Sequence, residues 1–187
     1  MNNDFFINYN GEMLPKERES LFGWIGDIKP KMILEVGTGT GASTYYMNES
    51  LKSFGVDCII HTCDPSSSRV NKNLLNQETI KYHKTTSDKL IRELDISNLD
   101  FIFFDGPEDE NVAINDLEYI EPRLKEGCYF SMHDWEFTKR SYDNAISIKS
   151  KKIRPYMENS DKWELIEYLE GVNSNESVGL CLYKFNG

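Results

Sequence analysis

Short apolar runs alternate with amphipathic stretches along most of the chain, at intervals of roughly 20 to 30 residues. Each apolar run has the length of a buried strand, and the predicted strands are Met32–Val36, Cys58–Cys63, Ile80–Lys84, Leu99–Phe104, Cys128–Met132, Trp163–Leu169 and Val178–Phe185. Helices are predicted over Ala42–Phe54, over 88–94, and from about Ala113 to Gly127 as the residue after the helix. Strands that alternate with helices predict an α/β fold with a doubly wound, mainly parallel sheet.

The two ends of the chain depart from this alternation. The last two strands are joined only by the hairpin-like stretch Glu170–Asn175, so they must pair antiparallel. At the other end, Pro15 can open a helix that reaches Pro30. We therefore divide the chain into an N-terminal lid or helix segment, 1–30, and a single domain, 31–187. The segment either folds over a ligand as a lid or covers one edge of the sheet.

A glycine-rich turn follows the first strand. Gly37, Gly39 and Gly41 stand at alternate positions between the strand and the next helix, and Thr38 and Ser43 lie in the same stretch. Glycine has no Cβ and tolerates positive φ, so a ligand can lie against bare backbone there. The strand, the turn and the helix N-terminus together predict a cradle for a nucleotide or a nucleoside.

Two ligands suit this cradle. Gly37, Gly39 and Ala42 satisfy the G-x-G-x-x-A pattern of dinucleotide sites, with the acidic Asp64 at a suitable distance. Glu35, however, places a carboxylate two positions before the first glycine, at the end of a buried strand. This anion would repel a pyrophosphate and attract a cationic ligand such as a sulfonium, and we favour the second ligand.

The motif E-V-G-T-G-T-G, from Glu35 to Gly41, resembles the first motif of the class I methyltransferases that depend on S-adenosylmethionine (SAM). The resemblance extends from about Leu14 to Phe185. It implies SAM as the cofactor and a Rossmann-like sheet of seven strands, with the last strand antiparallel and helices on both faces.

Acidic residues collect at the predicted carboxyl ends of the strands, where open α/β sheets bind ligands. These positions hold Glu35, Asp64, Asp88, Asp105, His133 and Asp134. Because the carboxylates repel one another, we expect something cationic or rich in hydroxyl donors among them. Asp64 could accept both hydroxyls of a ribose, or form an Asx turn before Pro65. Ser87 and Asp88 mark the adenine site by resemblance, or cap the following helix.

A second resemblance is narrower. The stretch F-F-D-G-P-E around Asp105, with H-D-W around Asp134, resembles the macrocin-type branch of small-molecule O-methyltransferases. That branch implies a magnesium ion on Asp105 and Asp134, with His133 as a weaker third ligand, and the ion would grip vicinal oxygens of the acceptor. The catalytic candidates are Asp105 with two alternative bases: His133, and Glu108, which stands where the branch often has a histidine.

Composition and charge limit the classes of molecule that this protein is expected to bind. The net charge of −10 argues against nucleic acid and anionic membranes as partners, and no apolar run approaches a membrane span. The four cysteines are interpreted as buried free thiols of a cytoplasmic protein. Residues 135–162 carry a local charge of +3, from seven Lys and Arg against four Asp and Glu. They could dock an anionic or glycosylated acceptor, but we favour a solvated helix face. A homo-oligomer stays open.

The leading hypothesis is a SAM-dependent methyltransferase that acts on a hydroxyl of a small molecule, with metal assistance left open. An NAD-dependent oxidoreductase is disfavoured by Glu35 and by the lack of a Y-x-x-x-K pair. A third hypothesis is a protein of the same fold that binds SAM or a nucleoside without turnover.

Overall fold

The structure is a computed structural model that describes residues 13–66, 68–107, 109–136, 149–171 and 179–187. Several sequence predictions concern residues outside this part of the chain. They are the first part of the N-terminal segment (1–12), the alternative base Glu108, most of the basic segment (137–148) and the end of the hairpin connection (172–178).

Seven strands form one sheet within the described residues, in the order β3-β2-β1-β4-β5-β7-β6. The strands are β1 (Met32–Val36), β2 (Ile59–Cys63), β3 (Ile80–His83), β4 (Phe101–Phe104), β5 (Tyr129–His133), β6 (Trp163–Leu169) and β7 (Leu180–Phe185). The first five strands are parallel, and β7 is antiparallel to both β5 and β6. The predicted fold class, including the antiparallel last strand, is confirmed.

Six α-helices flank this sheet in the described residues. They are α1 (Pro15–Ile28), α2 (Ala42–Ser53), α3 (Lys72–Leu75), α4 (Ser87–Glu93), α5 (Glu110–Ile120) and α6 (Ser150–Glu158). Alternate residues of β4 point to opposite faces, and both faces are apolar. Phe101 and Phe103 join a core with α1, α2 and α3, whereas Ile102 and Phe104 join a second core with α4, α5 and α6. The sheet is therefore covered on both faces, as a parallel sheet requires.

The end of α5 was predicted incorrectly. The helix stops at Ile120, and Glu121–Arg123 forms one 3-10 turn. Pro122 has no backbone N–H to continue the α-helical hydrogen bonds, which explains the early end. Gly127 has a φ of 84° but lies in the turn before β5, where its N–H donates to the carbonyl of Phe185 at 2.8 Å.

Helix α1 belongs to the packed body of the protein. Leu21 and Ile25 are fully buried in the first core, and the Trp24 indole N–H donates to Glu167 on β6 at 2.7 Å. Whether this helix moves as a lid, and the division of the chain at residue 30, stay predictions. Among the described helices, none combines the length and apolar character needed to cross a membrane.

Candidate functional site

The glycine turn after β1 makes a close contact with the end of β4. Gly37, Gly39 and Gly41 have φ values of 93°, 54° and 94°, in the left-handed region that favours glycine. A Cβ on Gly37 would lie 2.1 Å from the carbonyl oxygen of Asp105, which no side chain could tolerate. The bare backbone predicted from the sequence is therefore present, and it lies directly beside Asp105.

Hydrogen bonds from β2 hold this turn in place. The N–H groups of Gly37 and Thr38 donate to the carbonyl of Cys63 at 2.9 and 3.1 Å, and the Thr38 hydroxyl lies 2.6 Å from that of Thr62. Asp64 accepts from the N–H of Gly39 at 3.0 Å and from that of Ser66 at 2.8 Å. The second bond is the predicted Asx turn. The role of Asp64 in binding a ribose stays a prediction.

Glu35 is completely buried, and both of its carboxyl oxygens accept hydrogen bonds from side chains of the protein. Ser43 and Thr44 donate their hydroxyls to its two oxygens, each at 2.5 Å. Burial is the main reason that the pKa of Glu35 rises to about 7. These contacts tie the first turn of α2 to β1. Direct contact of Glu35 or Ser43 with a cofactor stays a prediction, and Thr44 was not identified from the sequence.

Ser87 and Asp88 lie in the first turn of α4, after β3. The helix has Thr86 as its N-cap residue, so the prediction that Ser87 or Asp88 caps it is wrong. The Ser87 hydroxyl instead donates to the carboxyl group of Asp116 on α5, while Asp88 is exposed. Burial raises the pKa of Asp116 to about 6. The adenine-binding role of Ser87 and Asp88 stays a prediction.

A charged cluster lies at the ends of β4 and β5. It consists of Glu17, Asp105, His133, Asp134 and Lys149. The His133 ring places Nε2 3.2 Å from a Glu17 oxygen and Nδ1 3.6 Å from oxygens of both Asp105 and Asp134. Asp134 has a φ of 61°, which turns the chain sharply after β5. The structure therefore brings together Asp105, His133 and Asp134 as predicted, and adds Glu17 from α1.

Lys149 is the residue of this cluster that the sequence interpretation assigned to solvent. Its ammonium donates to Asp105 and to Asp134, at 2.8 Å in each case, and its side chain is 1% exposed. It immediately precedes α6 and belongs to the basic segment that was interpreted as a solvated helix face. The excess of carboxylates at the strand ends was the signal that a cation was needed; nothing in the local pattern identified which lysine supplies it.

The cluster strongly shifts the proton affinities of its members. Burial by itself lowers the pKa of His133, but the nearby carboxylates of Asp105, Glu17 and Asp134 outweigh it and raise the pKa well above the ordinary value. Burial raises the pKa of Asp105, yet Lys149 and His133 outweigh it and hold the pKa well below its usual range. The carboxylates around His133 therefore favour its protonated form.

The magnesium site implied by the resemblance can be tested against these groups. Ligand atoms of Asp105, His133 and Asp134 lie within 4.8 Å of one another, so the cluster has the dimensions of a metal site. Its chemistry does not fit, because the Lys149 ammonium already lies between the two carboxylates and magnesium prefers oxygen ligands to imidazole. That Asp105 and Asp134 hold a metal stays a prediction, with Lys149 as the evidence against it.

The raised pKa of Glu35 predicts a pH-dependent stability. Because the folded state favours the neutral acid, this contribution is complete below about pH 4.5 and is lost as pH rises through about 7. Between pH 5 and pH 8, the free energy of unfolding of the wild type should therefore fall by roughly 3 kcal/mol because of Glu35. We expect Glu35→Gln to abolish this fall, because glutamine does not titrate. Urea unfolding across this range measures it.

The matched control for this experiment is Glu49→Gln, which changes a partly exposed carboxylate on α2, the helix whose Ser43 and Thr44 bind Glu35. It should leave the pH dependence of unfolding unaltered. An unchanged pH profile in Glu35→Gln would show that Glu35 stays ionised in the folded protein.

Comparisons with known proteins agree with this fold. A family described as a methyltransferase domain matches residues 34–135, which is more than half of the chain. No curated protein matches the chain. A Klebsiella pneumoniae protein provisionally assigned as an O-methyltransferase has a TM-score of 0.76 at 16% identity, with 100% of this chain and 87% of that one covered.

Two further solved structures contain the methyl donor or its product. The O-methyltransferase from Bacillus cereus, in complex with S-adenosylhomocysteine (SAH), has a TM-score of 0.73 at 16% identity and covers 98% of this chain and 87% of its own. TomG of Streptomyces achromogenes, an O-methyltransferase of tomaymycin synthesis in complex with SAM, has a TM-score of 0.73 at 13% identity, covering 99% and 86%. At these identities the likeness shows the fold, and the family match goes further: the chain belongs to a family of methyltransferase domains.

Proposed function

We propose that this protein transfers the methyl group of SAM to a hydroxyl of a small molecule. The observation that carries the proposal is the contact between the glycine turn and the end of β4, where Gly37 lies against the backbone of Asp105. The turn is the expected place for the methyl donor, and Asp105 begins the charged cluster. Methyl transfer requires donor, acceptor and proton acceptor to be close together, and the contact supports the proposal because it places the turn beside the charged cluster.

The donor site extends along the carboxyl ends of β1, β2 and β3. Gly37, Thr38, Gly39 and Gly41 form its floor, Asp64 would receive the ribose, and Ser87 with Asp88 would receive the adenine. Glu35 and Ser43 act from below, because their hydrogen bond fixes the first turn of α2. The likeness to O-methyltransferases solved with SAH or SAM supports this donor and this class of reaction.

Electrostatics at the cluster suit a cationic donor. Three carboxylates, from Glu17, Asp105 and Asp134, face the two cations of His133 and Lys149. Asp105, whose backbone lies against the glycine turn, brings a carboxylate to this side of the site, and a carboxylate attracts a sulfonium. In the reaction the acceptor oxygen attacks the methyl carbon, the carbon–sulfur bond breaks, and its electron pair stays on sulfur as a neutral thioether.

His133 is the base that this geometry supports. Its imidazole must first lose the proton that Asp105, Glu17 and Asp134 stabilise, after which it can accept the hydroxyl proton of the acceptor. Its position at the last residue of β5, one residue before Asp134, keeps it at the edge where the acceptor would lie. Glu108, the alternative base, lies outside the described residues.

The acceptor is assigned more coarsely than the donor. A small molecule is supported by the O-methyltransferase neighbours and by the net charge of −10, which disfavours nucleic acid. Membership of the macrocin-type branch, an anionic or glycosylated acceptor and a homo-oligomeric state stay predictions. The four free, buried cysteines support a reducing compartment such as the cytoplasm.

Binding of the donor product tests the proposal first. In calorimetry, SAH should bind the purified protein and NAD should not. Gly37→Ala should abolish SAH binding and lower the free energy of unfolding by at least about 2 kcal/mol, because it combines positive φ with a clash against Asp105.

Gly55→Ala is the matched control, because Gly55 also has a positive φ of 63° but has no atom within 4 Å of an added Cβ. It should keep SAH binding and lose only the conformational part of the stability, about 1 kcal/mol. Binding of NAD in place of SAH would overturn the methyltransferase proposal.

A second prediction concerns the base. Since the pKa of His133 is raised, kcat/KM with an acceptor found by screening should increase with pH beyond about 6.5, as the imidazole loses its proton. Glu17→Gln removes one of the stabilising carboxylates, so it should lower the pKa of His133 in an NMR titration and shift the kinetic limb to lower pH.

The control for this variant is Glu19→Gln, which changes an exposed carboxylate on the same helix and should move neither value. If His133→Asn retained the full rate and the same pH limb, His133 would not be the base.

A further inference from the structure

Lys149 lies where the resemblance would put a divalent ion. Its ammonium is 2.8 Å from Oδ1 of Asp105 and 2.8 Å from Oδ2 of Asp134. These distances are those of charge-assisted hydrogen bonds, which a lysine ammonium makes well. With its side chain 1% exposed, Lys149 is an internal part of the site and is not a surface lysine that happens to reach it.

An ion and this ammonium exclude each other. Magnesium binds carboxylate oxygens at about 2.1 Å, so an ion held by both of these oxygens would lie in the space that the ammonium occupies. A magnesium ion and the Lys149 ammonium, both beside the same two carboxylates, would also repel each other strongly in a buried site. The two carboxylates can therefore bind either the lysine or a metal, and in this fold they bind the lysine.

We propose that Lys149 takes the place of the divalent ion, so that this methyltransferase holds its strand-end carboxylates in position without a metal. The inference rests on the proposed function. It adds that Lys149 supplies the positive charge that Asp105 and Asp134 require. Lys149 is a positioning residue here, because it acts through Asp105 and Asp134.

The replacement changes what the acceptor must provide. A metal site of the kind implied by the resemblance grips two vicinal oxygens, whereas an internal ammonium with both carboxylates as partners makes no such demand. The acceptor class is therefore a hydroxyl compound that needs no vicinal oxygen. In the reaction the methyl group leaves sulfur for the hydroxyl oxygen, the hydroxyl proton goes to His133, and Lys149 keeps its proton throughout.

Manganese binding tests this proposal without any acceptor. Electron paramagnetic resonance measures free Mn²⁺ in solutions of the wild type, Lys149→Ala and the control Lys151→Ala, a lysine two residues along that is half exposed. The wild type and Lys151→Ala should not bind Mn²⁺ at the cluster. Lys149→Ala removes the ammonium from between the two carboxylates, so its Mn²⁺ affinity should rise at least about tenfold. Adding Asp105→Asn to that variant should abolish the gain.

Two results would overturn the proposal: Mn²⁺ binding by the wild type that Asp105→Asn removes, or a folded Lys149→Ala that gains no affinity. If Lys149→Ala does not fold, Lys149→Gln repeats the test, because its amide can still donate to a carboxylate while it removes the charge.

The SAH calorimetry separates the two proposals. A protein that binds SAH and also binds metal in the wild type keeps the proposed function and loses this inference. A protein that binds neither SAH nor metal keeps a lysine-filled site and loses the methyltransferase function. Methyl transfer that survives exhaustive chelation would agree with the first measurement, and a rate restored only by magnesium would contradict it.

Discussion

Compensation of buried carboxylates at the carboxyl edge of the sheet is the constraint on which the site depends. In the described part of the chain, Glu35 has the hydroxyls of Ser43 and Thr44 as partners, and the buried Asp134 shares the Lys149 ammonium with the partly exposed Asp105. A buried carboxylate that lost its partner would cost several kcal/mol. An acidic edge beside a glycine turn can exist in this fold only because the chain brings these donors to it.

The donors come from distant parts of the sequence. Glu17 reaches His133 from α1, across 116 residues, and Lys149 reaches Asp105 across 44. The charged cluster therefore forms only when α1 and the start of α6 have packed against opposite faces of the sheet. The packing of the helices and the geometry of the charged cluster are coupled for this reason. A change that loosens α1 would displace Glu17 and so alter the surroundings of His133.

The parts of this structure that follow from local pattern could be predicted from the sequence. Strand β6 was predicted with its observed bounds, and the glycine turn was located because positive φ demands glycine at specific places. The end of α5 was misjudged because Leu124 continued the apolar period, although Pro122 had already stopped the helix. The contacts of Glu17 with His133 and of Lys149 with the two aspartates could not be predicted from the local sequence. A lysine in a basic stretch has the pattern of a solvated residue, and only the tertiary fold buries it.

The choice of a lysine in place of a divalent ion also sets the charge that the methyl donor meets. Within the charged cluster the Lys149 ammonium contributes one positive charge, whereas a divalent ion in its position would contribute two. A sulfonium donor is cationic and its thioether product is not, so a lysine in place of a divalent ion repels the donor less at this edge. An anionic acceptor would be attracted less strongly by the ammonium than by a divalent ion at Asp105 and Asp134. Compared with a metal-bridged cluster, a lysine-bridged cluster therefore suits a cationic methyl donor better and gives an anionic acceptor less attraction.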